Sequence, residues 1–315
     1  MKDMKITILD AQTLGDDLDM SSLADLGTVT MHQTTKSSET LERIQEADIV
    51  ITNKVVIDAD MMNASPDLKL ICIAATGMNN VDLDHASIKG ITVRNVSGYS
   101  TKSVVQHTFA MALYLLEKLR YYDHSVKSGD WSRSGIFTDV SHPFGEISGK
   151  RWGVIGFGTI GQEVAHIATA FGADVYYYST SGINTHHAYP HLHLETLLRD
   201  CDIISIHAPL NDKTFDLINE NNISLVKEDA ILLNLGRGDI INETDLAFEL
   251  NRKRFYAGLD VLSKEPIEPS NMLMHIDHPE RLLITPHIAW TSIEARQKLF
   301  EGILHNIQTF LSQAE

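Results

Sequence analysis

The chain has 315 residues, long enough for two domains with buried cores. Its 43% hydrophobic and 22% charged residues are the mix of an ordinary soluble protein. Lys and Arg number 26 against 42 Asp and Glu, a net charge of -16, so the surface repels polyanions and argues against nucleic acid or anionic membrane as partners.

The opening "MKDMKITILD" reads as a short strand with acids inside it and lacks the apolar core of a secretion signal. No run approaches membrane length. The two cysteines, Cys72 and Cys201, form no C-x-x-C pair and no disulfide framework, so a reducing, cytoplasmic setting is expected.

From the first strand onward, short apolar runs alternate with longer amphipathic ones. The apolar runs are "ITILD", "DIVIT" at Asp48 to Thr52, "LKLICIAAT" at Leu68 to Thr76 and "ITVRN" at Ile91 to Asn95. Such alternation predicts parallel strands joined by crossover helices. One long helical pattern then runs from Ser100 through "TKSVVQHTFAMALYLLEKLRYY", apolar on most faces and therefore expected to be buried.

Next comes "KRWGVIGFGTIGQEVAHIATAFG", a strand, a glycine-rich turn and a helix in one run. That context is what makes a GxGxxG a dinucleotide-binding turn. Gly156 permits the tight turn, Gly158 lets backbone approach a pyrophosphate, and Gly161 lets helix and strand pack closely. The helix start offers free amide groups to the phosphates. Five more apolar runs follow: "DVYYY", Asp202 to Pro209, Ala230 to Gly236, Ala257 to Val261 and Leu282 to Pro286. They make six strands, the number of a full dinucleotide fold. The predicted fold is α/β, a doubly wound parallel-sheet domain beside a smaller α/β domain built from roughly the first hundred residues. The final helical run, "TSIEARQKLFEGILHNIQTFL", has no strand after it and is expected to return to that first domain.

Ligands of open α/β sheets bind outside the carboxyl ends of the strands. There the fourth strand of the second domain runs into "GRGD", the fifth into "LDVLSKEP" and the sixth into "TPHIAW". Arg237, Asp260, Glu265 and His287 are thus expected at one edge. A guanidinium there can grip a carboxylate with two prongs and polarise the adjacent carbonyl. An imidazolium can give a proton to the carbonyl oxygen as hydride reaches carbon, with Glu265 fixing its tautomer.

With these residues the chain resembles the D-isomer-specific 2-hydroxyacid dehydrogenases, above all their glycerate dehydrogenase (hydroxypyruvate reductase) branch. The resemblance covers essentially the whole chain. It rests on "AATGMNNVD" at Ala74 to Asp82, "NVSGYSTKSVVQHTFAMAL" at Asn95 to Leu113, "GVIGFGTIG", "NLGRGDIINE" at Asn234 to Glu243, "GLDVLSKEP" and "TPHIAW". It implies a homodimer in which a Rossmann NAD-binding domain, residues 99–287, is inserted into a flavodoxin-like substrate domain, residues 1–98 and 288–315. It also implies that Arg237, Glu265 and His287 are the catalytic triad and that Asp260 holds the nicotinamide carboxamide. Cofactor contacts are implied for Gly156, Gly158, Thr159, Ile160, Gly161, Ser179, His207, Pro209 and Thr214, with Thr101 to Val105 against the nicotinamide. Substrate contacts are implied for Asn53, Lys54, Gly77, Met78 and Arg237. The substrate class is a small 2-keto or 2-hydroxy acid. Lys54 is the only basic residue in "TNKVV", which fits an unphosphorylated one, and Trp290 is expected either to wall its pocket or to pack at the domain interface.

One position departs from the pattern. About twenty residues after the glycine turn an Asp or Glu should hold the adenosine ribose, and Ser179 stands there. Losing the acid removes the barrier to a 2'-phosphate. No Lys or Arg lies between Ser179 and Leu198, so NAD is expected, with NADP tolerated. The histidines of "THHAYPHLHLE", His186, His187, His191 and His193, lack an acid or cysteine completing a ligand set, and no metal is expected. The rival readings are the same chemistry on glyoxylate or another 2-keto acid, and an NADH-sensing binding protein resembling the related corepressors.

Overall fold

The computed structural model describes residues 4–183 and 188–313. It divides into two compact units, Met1–Ser100 with Thr291–Glu315, and Thr101–Trp290. The second boundary was expected at His287 and falls three residues later. Residues 288–290 stay with the second unit because the buried Asp260 accepts hydrogen bonds from the amides of Ile288 and Ala289.

The first unit is built on a five-stranded parallel sheet: β1 (Lys5–Ile8), β2 (Thr28–Met31), β3 (Ile49–Thr52), β4 (Leu70–Ile73) and β5 (Thr92–Asn95), in the order β2-β1-β3-β4-β5. That is the flavodoxin-like order. Every residue of β3 and β4 is buried, as expected of central parallel strands covered on both faces. β2 was not foreseen. It is an edge strand with an exposed, Thr-alternating sequence, and its apolar signal is weak for that reason. The helix Ile293–Gln313 packs on β4 through one stripe, Ala295, Leu299, Phe300, Ile303 and Ile307.

The second unit holds β6 (Arg151–Ile155), β7 (Asp174–Tyr178), β8 (Ile203–Ile206), β9 (Ile231–Asn234), β10 (Tyr256–Leu259) and β11 (Leu282–Ile284). All six are parallel, in the order β11-β10-β9-β8-β6-β7. A single parallel bridge from Tyr177 to His191 lies outside β7, where the third strand of a dinucleotide fold would run. The direction of winding reverses between β6 and β8, which opens the crevice where such sheets bind ligands.

One face of this sheet is covered by the helices Thr101–Leu116 and Thr159–Ala170, through Val105, Phe109, Ala112, Val164 and Ala168 among others. The long helix read from the sequence is interrupted: it stops at Leu116, Lys118 takes a left-handed φ of 54°, and a separate helix spans Leu119–Lys127. Among the described residues no helix is long and apolar enough to cross a membrane.

Candidate active site

The glycine turn sits at the reversal point. Gly156 has φ +90°, and a Cβ there would lie 2.6 Å from the Ala208 backbone nitrogen after β8. A side chain on Gly161 would collide with the Gly156 carbonyl oxygen at 2.2 Å, so helix and turn touch. Around Gly158 there is open space within 4 Å. Thr159 and Ile160 open the Thr159–Ala170 helix directly behind this opening.

Polar atoms without partners flank the turn on both sides. Just after β7, which closes on the turn through the Gly156 N–H to Tyr178 carbonyl bond of 3.0 Å, the buried Ser179 has no hydrogen-bond partner for its Oγ. Just after β8, both ring nitrogens of His207 are buried and unpaired, and burial lowers its pKa to about 3. Buried polar groups are nearly always satisfied. Orphans on either side of an open glycine turn fit a polar ligand, and a nicotinamide dinucleotide's ribose and phosphate oxygens supply what they lack. Pro209 follows two residues later, its carbonyl held by the buried Thr214 hydroxyl at 2.6 Å. Of the histidine run, His186 and His187 lie outside the described residues. His191 packs edge-on against Tyr177, with ring centroids 5.3 Å apart.

The adjacent, parallel ends of β9, β10 and β11 carry the residues expected to do chemistry. After β9 the buried Asn234 closes a turn, accepting from the Gly236 N–H at 3.0 Å and donating to the Arg237 carbonyl at 2.8 Å. The Arg237 guanidinium donates to the Gly236 carbonyl at 2.8 Å. Gly238 fits only because it lacks a side chain: a Cβ would lie 1.9 Å from the Leu262 carbonyl carbon. This contact presses the Arg237 turn against the loop after β10.

That loop carries Glu265. Its Oε1 accepts from the Leu262 N–H at 3.1 Å, and Glu243 accepts from the Ser263 N–H at 2.6 Å. Its Oε2 lies 2.7 Å from His287 Nδ1. A carboxylate is an acceptor, so Nδ1 carries the hydrogen and Nε2 is left as the atom that exchanges protons outward. The side chains of His287 and Glu265 are 21% and 32% exposed, partly sheltered yet open to a ligand. His287 itself has φ +56°, an uncommon backbone for a non-glycine residue.

Asp260, 1% exposed, is committed to this loop. Its carboxylate accepts from the Thr285 hydroxyl at 2.6 Å and from the Ile288 and Ala289 amides at 2.9 Å each. On the Thr101–Leu116 helix, Val105 is buried while Ser103 and His107 reach the same segment. Sequence reasoning gave no separate role to Ser103, which it placed only within the span Thr101 to Val105, or to His107, Thr285, Gly238 and Glu243. Two polar residues four apart on an apolar helix were the available signal for the first pair.

In the first unit, Asn53 and Lys54 follow β3. Their amides donate to the buried Asp10 carboxylate, at 2.9 Å to Oδ1 and 2.7 Å to Oδ2. Burial raises the Asp10 pKa from its ordinary value, against the opposing pull of these amides. Gly77 and Met78 follow β4, and the Met78 carbonyl accepts from the Val81 N–H at 3.1 Å.

Comparison with known proteins agrees with this geometry. Residues 109–289 match the family model of the D-isomer specific 2-hydroxyacid dehydrogenase NAD binding domain. A hydroxypyruvate reductase of Blautia hydrogenotrophica is 35% identical over 98% of this chain and 97% of its own. Among solved structures, an acyclic imino acid reductase in complex with NADPH and D-Arg has TM-score 0.86 and 30% identity, covering 98% of each chain. A D-lactate dehydrogenase from Aquifex aeolicus complexed with NAD and lactic acid has TM-score 0.84 and 26% identity, over 98% of this chain and 96% of that one. The chain therefore belongs to the D-isomer-specific 2-hydroxyacid dehydrogenase family, as an oxidoreductase with an NAD-binding domain.

Proposed function

We propose that this enzyme reduces a small, unphosphorylated 2-keto acid to the D-2-hydroxy acid, with hydroxypyruvate to D-glycerate as the leading reaction. The observation that carries the reading is the 2.7 Å pairing of His287 Nδ1 with Glu265, set at the strand ends beside Arg237. The name of the Blautia relative supports hydroxypyruvate. Bound NADH supplies the hydride that reaches the carbonyl carbon. The residues of the chain do the rest. Arg237 grips the substrate carboxylate and polarises the carbonyl. His287, held by Glu265, gives the proton on Nε2 to the carbonyl oxygen, so the alkoxide is neutralised as it forms. In the first unit, the Gly77 and Met78 amides and the Asn53–Lys54 loop are assigned to the substrate.

Ser179, His207, Pro209, Thr214 and the glycine turn are assigned to the dinucleotide, Thr101, Val105 and Asp260 to its nicotinamide end. Ser179 is a hydroxyl where an acid would repel a 2'-phosphate, so the reading is NADH preferred with NADPH accepted. A cytoplasmic setting belongs to the same reading: Cys72 and Cys201 are free and buried, and burial pushes both thiols up to about 12.

The enzyme is also proposed to act as a homodimer. Val126, Trp131, Phe137 and Phe144 line one groove, with Phe137 91% exposed and Ile136 and Val140 bare beside it. An apolar patch of this kind on an acidic chain fits a second copy.

The direct test of the acid is His287→Ala, which is expected to lower turnover by about a hundredfold or more while NADH still binds, because it removes the proton donor alone. Near-normal turnover would reject His287.

A further inference from the structure

We infer that His107, with Ser103, Thr285 and Asp260, is a positioning device that sets the His287 ring. It rests on the proposed role of His287.

The Thr101–Leu116 helix presents Ser103 and His107 on one face, four residues apart. Ser103 Oγ donates to the Ala289 carbonyl at 2.6 Å. His107 Nε2 lies 3.1 Å from Thr285 Oγ1 and 3.5 Å from Asp260 Oδ1. These two contacts grip the segment that carries His287 two residues from either end.

The hydrogens can be assigned by elimination. Asp260 can only accept, so the Thr285 hydroxyl spends its proton on Asp260 Oδ1 at 2.6 Å. Thr285 can then only accept from His107, so His107 carries its hydrogen on Nε2. Asp260 meanwhile holds the Ile288 and Ala289 amides. Ser103, His107 and Asp260 each bond to the five-residue segment 285–289.

The segment needs such support. His287 sits at φ +56°, and its N–H bonds back to the Thr285 carbonyl at 2.9 Å, a tight local turn in a costly conformation. Unsupported, it can relax to an ordinary backbone and swing the imidazole off Glu265. A misplacement of about 1 Å at a reacting group costs on the order of a hundredfold, and partial loosening less. Asp260, just after β10, thus serves the histidine as well as any nicotinamide contact. His107 and Ser103 tie that histidine to the helix whose first turn is assigned to the cofactor.

The test uses the full enzyme with His107→Leu, which removes the donor, and His107→Gln, which keeps an N–H at similar reach. His107→Leu is expected to lower kcat about tenfold, with the keto-acid KM changed less than about threefold and NADH affinity and Tm held. Hydrogen exchange of the 285–289 amides should quicken in the same variant. His107→Gln should restore most of both. Thr285→Val, compared with Thr285→Ser, repeats the contrast should His107→Leu fail to fold. Unchanged kcat and exchange in the Leu variant would overturn the inference, as would equal losses in Leu and Gln. If the parent enzyme reduces no keto acid, the functional reading fails on its own, and the exchange contrast still decides the positioning.

Discussion

Glu265→Gln removes the charge behind His287, and because an amide has a single acceptor oxygen it also gives up the Leu262 N–H bond of Oε1. The amide oxygen of Gln can still accept from Nδ1, so the ring keeps its orientation and loses the carboxylate that steadies it once protonated. A hydrogen bond to a charged group contributes about 1.5–3 kcal/mol. The 2.7 Å separation favours the upper end, but side-chain exposures of 21% and 32% admit water and screen the pair. The lower half, about 1.5–2 kcal/mol, is the reasoned value. At about 1.36 kcal/mol per tenfold this becomes a drop of roughly 10- to 30-fold in kcat. The assay is steady-state NADH oxidation at saturating keto acid, with NADH affinity measured separately by nicotinamide fluorescence. Glu265→Ala should lose more, because orientation goes too. A Gln variant within about twofold of the parent would refute the idea that the carboxylate acts through its charge.

The lowered pKa of His207 makes a stability prediction. Burial holds it neutral in the fold at about 3, while in the unfolded chain it titrates near 6.5. The unfolded state therefore gains a proton first, and the ligand-free protein loses stability as pH falls from 6.5 towards 3. Between pH 6.5 and 5 the loss from this group is about 1.5 kcal/mol. His207→Gln should flatten that part of the Tm-versus-pH curve, and an unchanged slope would remove His207 as its cause. Phe137→Asp should turn a dimer into a monomer in sedimentation, because an acid replaces a 91% exposed aromatic in the proposed interface. A parent that already sediments as a monomer, or a variant that stays dimeric, would locate assembly elsewhere.

Much of the architecture was legible because it rests on local patterns. β3, β4, β8 and β9 are buried throughout and read as largely apolar runs. The glycine turn stood between a strand and a helix, and β9, β10 and β11 ended at the residues proposed for the chemistry. β2 was invisible because an edge strand with one exposed face carries little apolar signal. The helix break at Lys118 has neither glycine nor proline to announce it. The support of the His287 segment was hidden for another reason. His107 meets Thr285 across 178 positions of chain, and Gly238 meets Leu262 through the absence of a side chain. Polar contacts at such range leave no periodicity to read, whereas the residues proposed for catalysis lie at strand ends that topology alone brings together.

The most direct test of the proposed reaction is the initial rate of hydroxypyruvate reduction, with NADH and NADPH in parallel at saturating substrate, followed by nicotinamide absorbance. The expected result is rapid oxidation of NADH, with slower but measurable oxidation of NADPH, because Ser179 neither repels the 2'-phosphate nor pairs with it. No oxidation of either cofactor, with NADH binding intact, would contradict hydroxypyruvate as the substrate.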